Sequence, residues 1–122
     1  MTLSQPSRLT RIFQKDDPPL YFMTLCTDNR RNILENKKVH AALLEYAQAG
    51  VARGVALGRY VIMTDHIHLF VQGSHNFDHV IRNTESYSQK WDYVRENPVR
   101  AGLASAADEW SLQGEIVRIE HR

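Results

Sequence analysis

Two histidines separated by one residue, His66 and His68, stand in the apolar run from Tyr60 to Val71. The run predicts a β-strand, in which successive side chains point to opposite faces. The two imidazoles therefore share one face, and their spacing allows both to bind a single divalent metal ion. The alternative is a structural role, in which the rings are packed or hydrogen-bonded. The pair makes the chain a candidate metalloenzyme.

A predicted helix near residue 90 carries two different faces. Tyr87, Trp91 and Val94 recur at helical spacing and form an apolar stripe that can pack on a sheet. Tyr93 lies about 200° around the helix from Trp91, so packing of that stripe does not explain it. Asn97 follows Tyr93 by four residues and shares its face. Its amide is an ordinary signal for a helix end, but it could also complete a metal site as an oxygen ligand.

Composition limits the classes of protein open to this chain. Its 122 residues suit one domain, and its single cysteine, Cys26, excludes an intramolecular disulfide and a cysteine-based zinc cluster. No apolar run approaches the roughly 20 residues of a membrane helix, and the N-terminus has no signal-peptide region. These features predict a cytoplasmic protein with no membrane partner. A net charge of +1 does not by itself indicate nucleic-acid binding.

The hydrophobic pattern predicts an α+β fold. The expected elements are strands over 20–27, 55–63 and 66–72, and helices over 37–52, after the N-cap Asn36, and from Asn83 or Thr84 to Glu96. A tail containing Trp110 and residues 115–119 is expected to dock, with a short last strand. The order predicts a ferredoxin-like or RRM-like antiparallel sheet with the helices packed on one face. Residues 1–17 are expected to be an irregular arm, and residues 18–122 a single domain.

Together these residues resemble one family, the single-tyrosine HUH transposases, among them the REP-associated tyrosine transposases and related insertion-sequence transposases. One shared motif is the His-hydrophobe-His strand, here Asp-His-Ile-His-Leu-Phe-Val at residues 65–71. The second is a tyrosine helix followed by Asn-Pro-Val-Arg-Ala-Gly, here residues 91–103. Residues 78–84 and the Asn29-Arg30-Arg31 turn are also similar, so the resemblance covers about residues 18–113.

The resemblance implies a reaction and a role for each matching residue. Tyr93 would be the nucleophile, while His66, His68 and Asn97 would bind a divalent metal ion, Mg²⁺ or Mn²⁺. The enzyme would cleave and rejoin single-stranded DNA beside hairpins or palindromic repeats through a 5′-phosphotyrosine. Further candidate DNA contacts are basic residues along the backbone path and two aromatic residues for base stacking: Lys90, Arg95, Arg100, Arg30, Arg31, Tyr60 and Phe70.

The sequence departs from the family between the two motifs. The family usually has a longer segment with an additional helix after the histidine strand, whereas here residues 71–77 lead almost directly into residues 78–80. The tyrosine helix is therefore expected either to fold back in the same chain or to dock on a partner in a helix-swapped homodimer. The alternative function is a non-catalytic protein, decayed or repurposed, that binds single-stranded nucleic acid.

Overall fold

The computed structural model describes residues 20–73 and 87–119. The predicted arm and the predicted start of the second helix lie outside these ranges. The described elements, in chain order, are β1 (Leu20–Cys26), α1 (Lys37–Val51), β2 (Ala56–Ile62), β3 (His66–Gln72), α2 (Tyr87–Val94), α3 (Asn97–Arg100) and β4 (Gln113–Glu115), with 3₁₀ turns at Asp28–Arg30 and Ala107–Glu109. Within these ranges, no helix is long and apolar enough to cross a membrane.

The strands form one antiparallel sheet in the order β1-β3-β2-β4. Strands β1 and β2 are joined through α1, and β3 lies between them, which is a split βαβ arrangement. A tight turn closed by the Met63 N–H donating to the His66 carbonyl, at 2.8 Å, joins β2 to β3. The predicted α+β class with a ferredoxin-like antiparallel sheet is confirmed, and the histidines lie on one of the two central strands.

Helix α1 begins where the sequence predicts. The side chain of Asn36 accepts a hydrogen bond from the Val39 N–H at 2.8 Å and so caps the helix. Val39, Leu43, Ala47 and Val51 recur on one side and join the core. This stripe fixes the face that α1 presents to the sheet.

The two longer helices cover opposite faces of the sheet. Helix α1 contributes Leu43 and Ala47 to an apolar groove that it shares with Leu69 and Val71 of β3. Helix α2 instead contacts Phe70, whose ring lies 4.9 Å from that of Tyr87 between centroids. Side chains alternate along β3, so Phe70 and Val71 belong to different faces. The prediction that both helices pack on one face is therefore wrong, and α2 lies on the face that carries the histidines.

The C-terminal tail docks on β2. The Trp110 indole donates a hydrogen bond to the Ile62 carbonyl at 3.0 Å, and the Val117 N–H donates to the Leu57 carbonyl at 3.0 Å. Trp110, Val117 and Ile119 are buried. The expectation of a docked tail with a short strand is confirmed, although the strand comes before most of the predicted stretch, at Gln113–Glu115.

Gly58 allows the close approach that fixes α2 to the sheet. A Cβ at this position would lie 2.5 Å from the Tyr87 hydroxyl and 2.8 Å from Cδ1 of Ile119. The Tyr87 hydroxyl accepts a hydrogen bond from the Arg59 N–H at 2.9 Å. Because Tyr87 is rigid and buried, a side chain at residue 58 would force α2 away from this bond.

We expect Gly58→Ala to lower the free energy of unfolding by about 1–3 kcal/mol, since the added methyl group overpacks the Tyr87 contact. The matched control is Gly50→Ala in α1, where the Cβ would meet only ordinary contacts at 3.5 Å and beyond. It should be neutral or stabilise the helix by up to about 1 kcal/mol. Urea unfolding of both variants measures these changes. An equal change in the free energy of unfolding for the two variants would contradict the role of Gly58 in the close approach of Tyr87.

Candidate active site

The two histidines present their Nε2 atoms to each other at 3.1 Å. Both imidazoles are largely shielded, and the side chain of His66 is 18 % exposed. The antiparallel register sets Cys26 opposite His66 and Thr24 opposite His68 on the neighbouring strand β1. The predicted placement of the two imidazoles on one face is therefore what the structure shows, with their ring nitrogens converging.

Each histidine is held through its other ring nitrogen. Nδ1 of His66 lies 2.6 Å from a carboxylate oxygen of Asp65, and Nδ1 of His68 lies 3.0 Å from the hydroxyl of Thr24. The second oxygen of Asp65 accepts a hydrogen bond from Nε of Arg30 at 2.8 Å. Metal-binding histidines are usually held in this way, by a carboxylate or other acceptor at the nitrogen that does not bind the metal.

Electrostatics keep His68 neutral at neutral pH. Burial lowers the pKa of His68 to about 4, and the positive charges of His66, Lys90 and Arg100 act in the same direction. Hydrogen bonds from His66 and then Arg30 lower the pKa of the Asp65 carboxyl, which is therefore ionised. A neutral imidazole is the form that binds a metal ion.

Helix α2 brings positive charge and the candidate nucleophile to the same face. The Phe22 ring stacks on His68 with a centroid separation of 5.3 Å. Nζ of Lys90 lies 4.8 Å from the Phe22 centroid and 5.9 Å from that of Tyr93. The Arg100 guanidinium lies 4.2 Å from the Tyr93 centroid and donates to the Tyr93 carbonyl at 2.8 Å. A continuous row of contacts therefore links the imidazole to the tyrosine.

Tyr93 points away from the packed stripe of α2, as its helical position predicts. Its side chain is 62 % exposed, whereas Tyr87 and Val94 are buried and Trp91 is partly buried. The Trp91 ring packs against the Phe70 ring, with 6.3 Å between their centroids. The ring of Tyr93 thus lies in solvent beside two cations, where a polymer backbone can reach it.

Among the described residues, the Asn97 side chain pairs with Arg100 rather than with the histidines. The predicted helix to Glu96 ends at Val94, and Asn97 opens the separate helix α3. Its side-chain oxygen accepts a hydrogen bond from the Arg100 guanidinium. In residues 20–73 and 87–119, no group of three His, Cys, Asp or Glu side chains could hold a metal ion.

Two of the predicted DNA contacts are corrected by burial. Phe70 is fully buried between β1 and α2, and Tyr60 is 3 % exposed on the α1 face, where its hydroxyl bonds to His40. Neither ring can stack on a base, because both side chains point from their strands into the core.

The other predicted basic contacts have different surroundings. Arg95 forms an ion pair with Asp108, and Arg30 forms one with Asp65. Arg31 is exposed in the turn after β1. In the described part of the chain, Lys90 and Arg100 lie over aromatic rings and form no ion pair with a carboxylate. Their charges therefore remain available to a ligand.

Sequence reasoning missed Phe22 and Thr24. Both lie on β1 at positions whose side chains reach the histidine face, and their partners follow from the β1–β3 register. Neither residue belongs to a recognisable motif. Alternation alone would have placed them on one face of β1, but the register needed to pair them with His68 is not encoded locally.

A solved structure of a REP-associated tyrosine transposase bound to a REP hairpin has a similar fold. The TM-score is 0.60 at 18% sequence identity, and the match covers 82% of this chain and 78% of that one. No family model matches the sequence, and no curated protein matches it. At this identity the likeness shows the fold.

We expect Tyr93→Phe to change the free energy of unfolding by less than about 0.5 kcal/mol, because the ring and its contacts with cations stay in place. Trp91→Ala, two residues away on the packed stripe, should lower it by about 3 kcal/mol through lost packing on Phe70. Urea unfolding measures both. A large decrease in the free energy of unfolding for Tyr93→Phe would mean that the hydroxyl stabilises the fold.

Proposed function

We propose that this protein is a transposase-like enzyme that cleaves and rejoins single-stranded DNA, with Tyr93 as the nucleophile. The observation that carries the proposal is the meeting of two elements on one sheet face. The converging nitrogens of His66 and His68 come from β3, and the exposed Tyr93 with its two cations comes from α2 and α3. Structural likeness to a hairpin-bound tyrosine transposase supports the same class.

The histidine pair fits a divalent metal ion. The two Nε2 atoms converge, 3.1 Å apart, and neutral imidazole nitrogens are common metal ligands, so one divalent ion could take both. His66 and His68 would hold the ion, and the proposed third ligand is Asn97, once its side chain is released from Arg100. A bound Mg²⁺ or Mn²⁺ ion supplies charge stabilisation for a phosphodiester whose negative charge repels nucleophiles.

The chain's own part of the reaction is nucleophilic substitution at phosphorus. The Tyr93 phenol oxygen forms a bond to the phosphorus, and the bond from phosphorus to the 3′ oxygen of the preceding nucleotide breaks. The phenol proton is lost, and the departing 3′ oxygen leaves as a hydroxyl. The product is a 5′-phosphotyrosine, which conserves the ester bond, so a later strand transfer needs no nucleotide cofactor.

The substrate class follows from charge and exposure. Lys90 and Arg100 flank the Tyr93 ring without carboxylate partners among the described residues, and phosphates are their natural counterions. We propose single-stranded DNA beside a hairpin or palindromic repeat, with Arg31 as a further backbone contact.

A non-catalytic nucleic-acid-binding protein is the second candidate. One observation favours it: Asn97 is bonded to Arg100, so only two of the three proposed ligands face each other in the structure. Such a protein would keep the cationic face and lose the chemistry.

Covalent trapping separates the two functions. The protein is incubated with end-labelled hairpin DNA carrying single-stranded flanks, with Mn²⁺ or with EDTA, and run on a denaturing gel. We expect a shifted band with Mn²⁺ that disappears with EDTA and with Tyr93→Phe. Tyr46→Phe is the matched control, because Tyr46 is also exposed, at 79 %, and lies on α1. Binding without a shifted band, across several hairpins, would favour the non-catalytic protein.

We propose that the tyrosine helix packs on the sheet of its own chain. Tyr87, Lys90 and Trp91 contact Phe70 and Phe22 of the same sheet. The helix-swapped homodimer predicted as an alternative would make these contacts between two chains. We expect light scattering at high protein concentration to give the mass of one chain. A mass of two chains that falls to one with Trp91→Ala would support the swapped form instead.

A further inference from the structure

We propose that Asp65 and Thr24 are positioning residues that hold the two histidines through Nδ1, that Asp65 also sets which ring nitrogen of His66 is free, and that Arg30 fixes Asp65 for this role. The inference rests on the proposed metal-binding function of His66 and His68 and concerns the groups behind them. Four hydrogen bonds join five side chains, from Arg30 in a turn and Thr24 on an edge strand to the two converging Nε2 atoms. Asp65 and Thr24 meet the Nδ1 atoms, not the converging Nε2 atoms, and Arg30 meets Asp65.

Asp65 determines the proton position on His66. An ionised carboxylate only accepts hydrogen bonds, so Nδ1 of His66 must donate across the 2.6 Å contact. A proton held on Nδ1 by this contact leaves Nε2 as the ring nitrogen that can offer a lone pair. That lone pair faces Nε2 of His68. A metal ion bound by both histidines would therefore be bound through their Nε2 atoms.

Thr24 allows His68 to exchange its proton between its two ring nitrogens. Without a metal ion, Nε2 of His68 donates to the lone pair of His66, and Nδ1 accepts from the Thr24 hydroxyl. With a metal ion, Nε2 must present a lone pair, and Nδ1 must carry the proton. A hydroxyl can donate or accept, so Thr24 keeps its hydrogen bond in both states.

Arg30 is held in place by the turn that follows β1. The backbone of this turn bonds to the β2–β3 connection, because the Thr27 N–H donates to the Asp65 carbonyl at 2.9 Å. Arg30 has φ of 54°, a left-handed conformation that is uncommon for residues other than glycine. Its Nε meets Asp65 at 2.8 Å, leaving the other carboxylate oxygen directed at His66. The turn therefore orients the carboxylate.

The first test is Mn²⁺ affinity by isothermal titration calorimetry on the full chain. We expect Asp65→Asn and Thr24→Val each to weaken binding about 10-fold, the lower end for partners of metal-binding histidines. Thr24→Ser, which keeps the hydroxyl, should restore the affinity. Lys38→Gln, an exposed substitution on α1, is the charge control. Amide NMR spectra confirm that each variant is folded.

The direction in which Arg30→Gln changes the Mn²⁺ affinity separates a positioning role from a simple charge effect. Removing a positive charge beside a cation site strengthens metal binding by electrostatics alone. A positioning role predicts the reverse, a several-fold loss, because the Asp65 carboxylate is no longer oriented. Equal or tighter Mn²⁺ binding by Arg30→Gln would overturn the role of Arg30.

The second test needs no metal ion. Long-range ¹H–¹⁵N NMR of the histidine rings shows which nitrogen carries the proton. We expect the proton of His66 on Nδ1 in the wild type and on Nε2 in Asp65→Asn, because Arg30 keeps the amide oxygen and turns the NH₂ towards His66. A wild-type His66 protonated only on Nε2 would overturn the inference. A protein that binds no Mn²⁺ but shows the expected protonation would contradict the metal function and leave the positioning supported.

Discussion

The antiparallel pairing of β1 with β3 is the interaction on which the whole site depends. Its register places Thr24 beside His68 and Phe22 beside Phe70 on one face. A shift by one residue would turn Thr24 and Phe22 towards α1 and would remove the Thr24 partner of His68. The same face receives α2, because Phe70 offers its ring to Tyr87 and Trp91. One strand pair thus supports both the histidines and the helix that carries Tyr93.

Packing and charge are divided between the two sides of α2. Arg59 lies over the Tyr87 and Trp91 rings, at 5.3 and 5.6 Å from their centroids, and pairs with Glu115. Arg59 therefore packs α2 against the sheet. Lys90 and Arg100, on the solvent side, are placed over Phe22 and Tyr93 instead. The consequence is positive charge beside the histidine pair, which the proposed contact with a nucleic-acid phosphate requires.

Local patterns predicted much of this molecule. Strand β3 matches its predicted bounds, and Asn36 caps α1 as its position indicated. The stripe of Tyr87, Trp91 and Val94 was also visible in the sequence, since helical periodicity is a local property. The side of the sheet that α2 covers was not visible in the sequence. It depends on the segment between β3 and α2, whose sequence has no clear hydrophobic period. Burial of Phe70 was missed for the same reason. Burial of Tyr60 was missed because its side chain lies on the face that α1 covers, where its hydroxyl bonds to His40.

The role of Asp65 shows the limit of motif reading most clearly. The motif marks Asp65 as part of a His-hydrophobe-His strand, yet its link to Arg30 joins residues 35 positions apart. Sequence reasoning named Arg30 only as a candidate DNA contact, one of several basic residues. In the structure Arg30 pairs with Asp65, which contacts His66, and its contact with DNA stays a prediction.

The proposed function requires that the histidine pair and Tyr93 form one site within one chain. Paramagnetic broadening by Mn²⁺ in protein with ¹³C-labelled tyrosine rings tests this requirement. We expect the Tyr93 signals to broaden at low Mn²⁺ while those of Tyr46, on the α1 face, stay sharp, and we expect His66→Ala combined with His68→Ala to abolish the difference. Equal broadening of Tyr93 and Tyr46, or broadening that survives loss of both histidines, would contradict it.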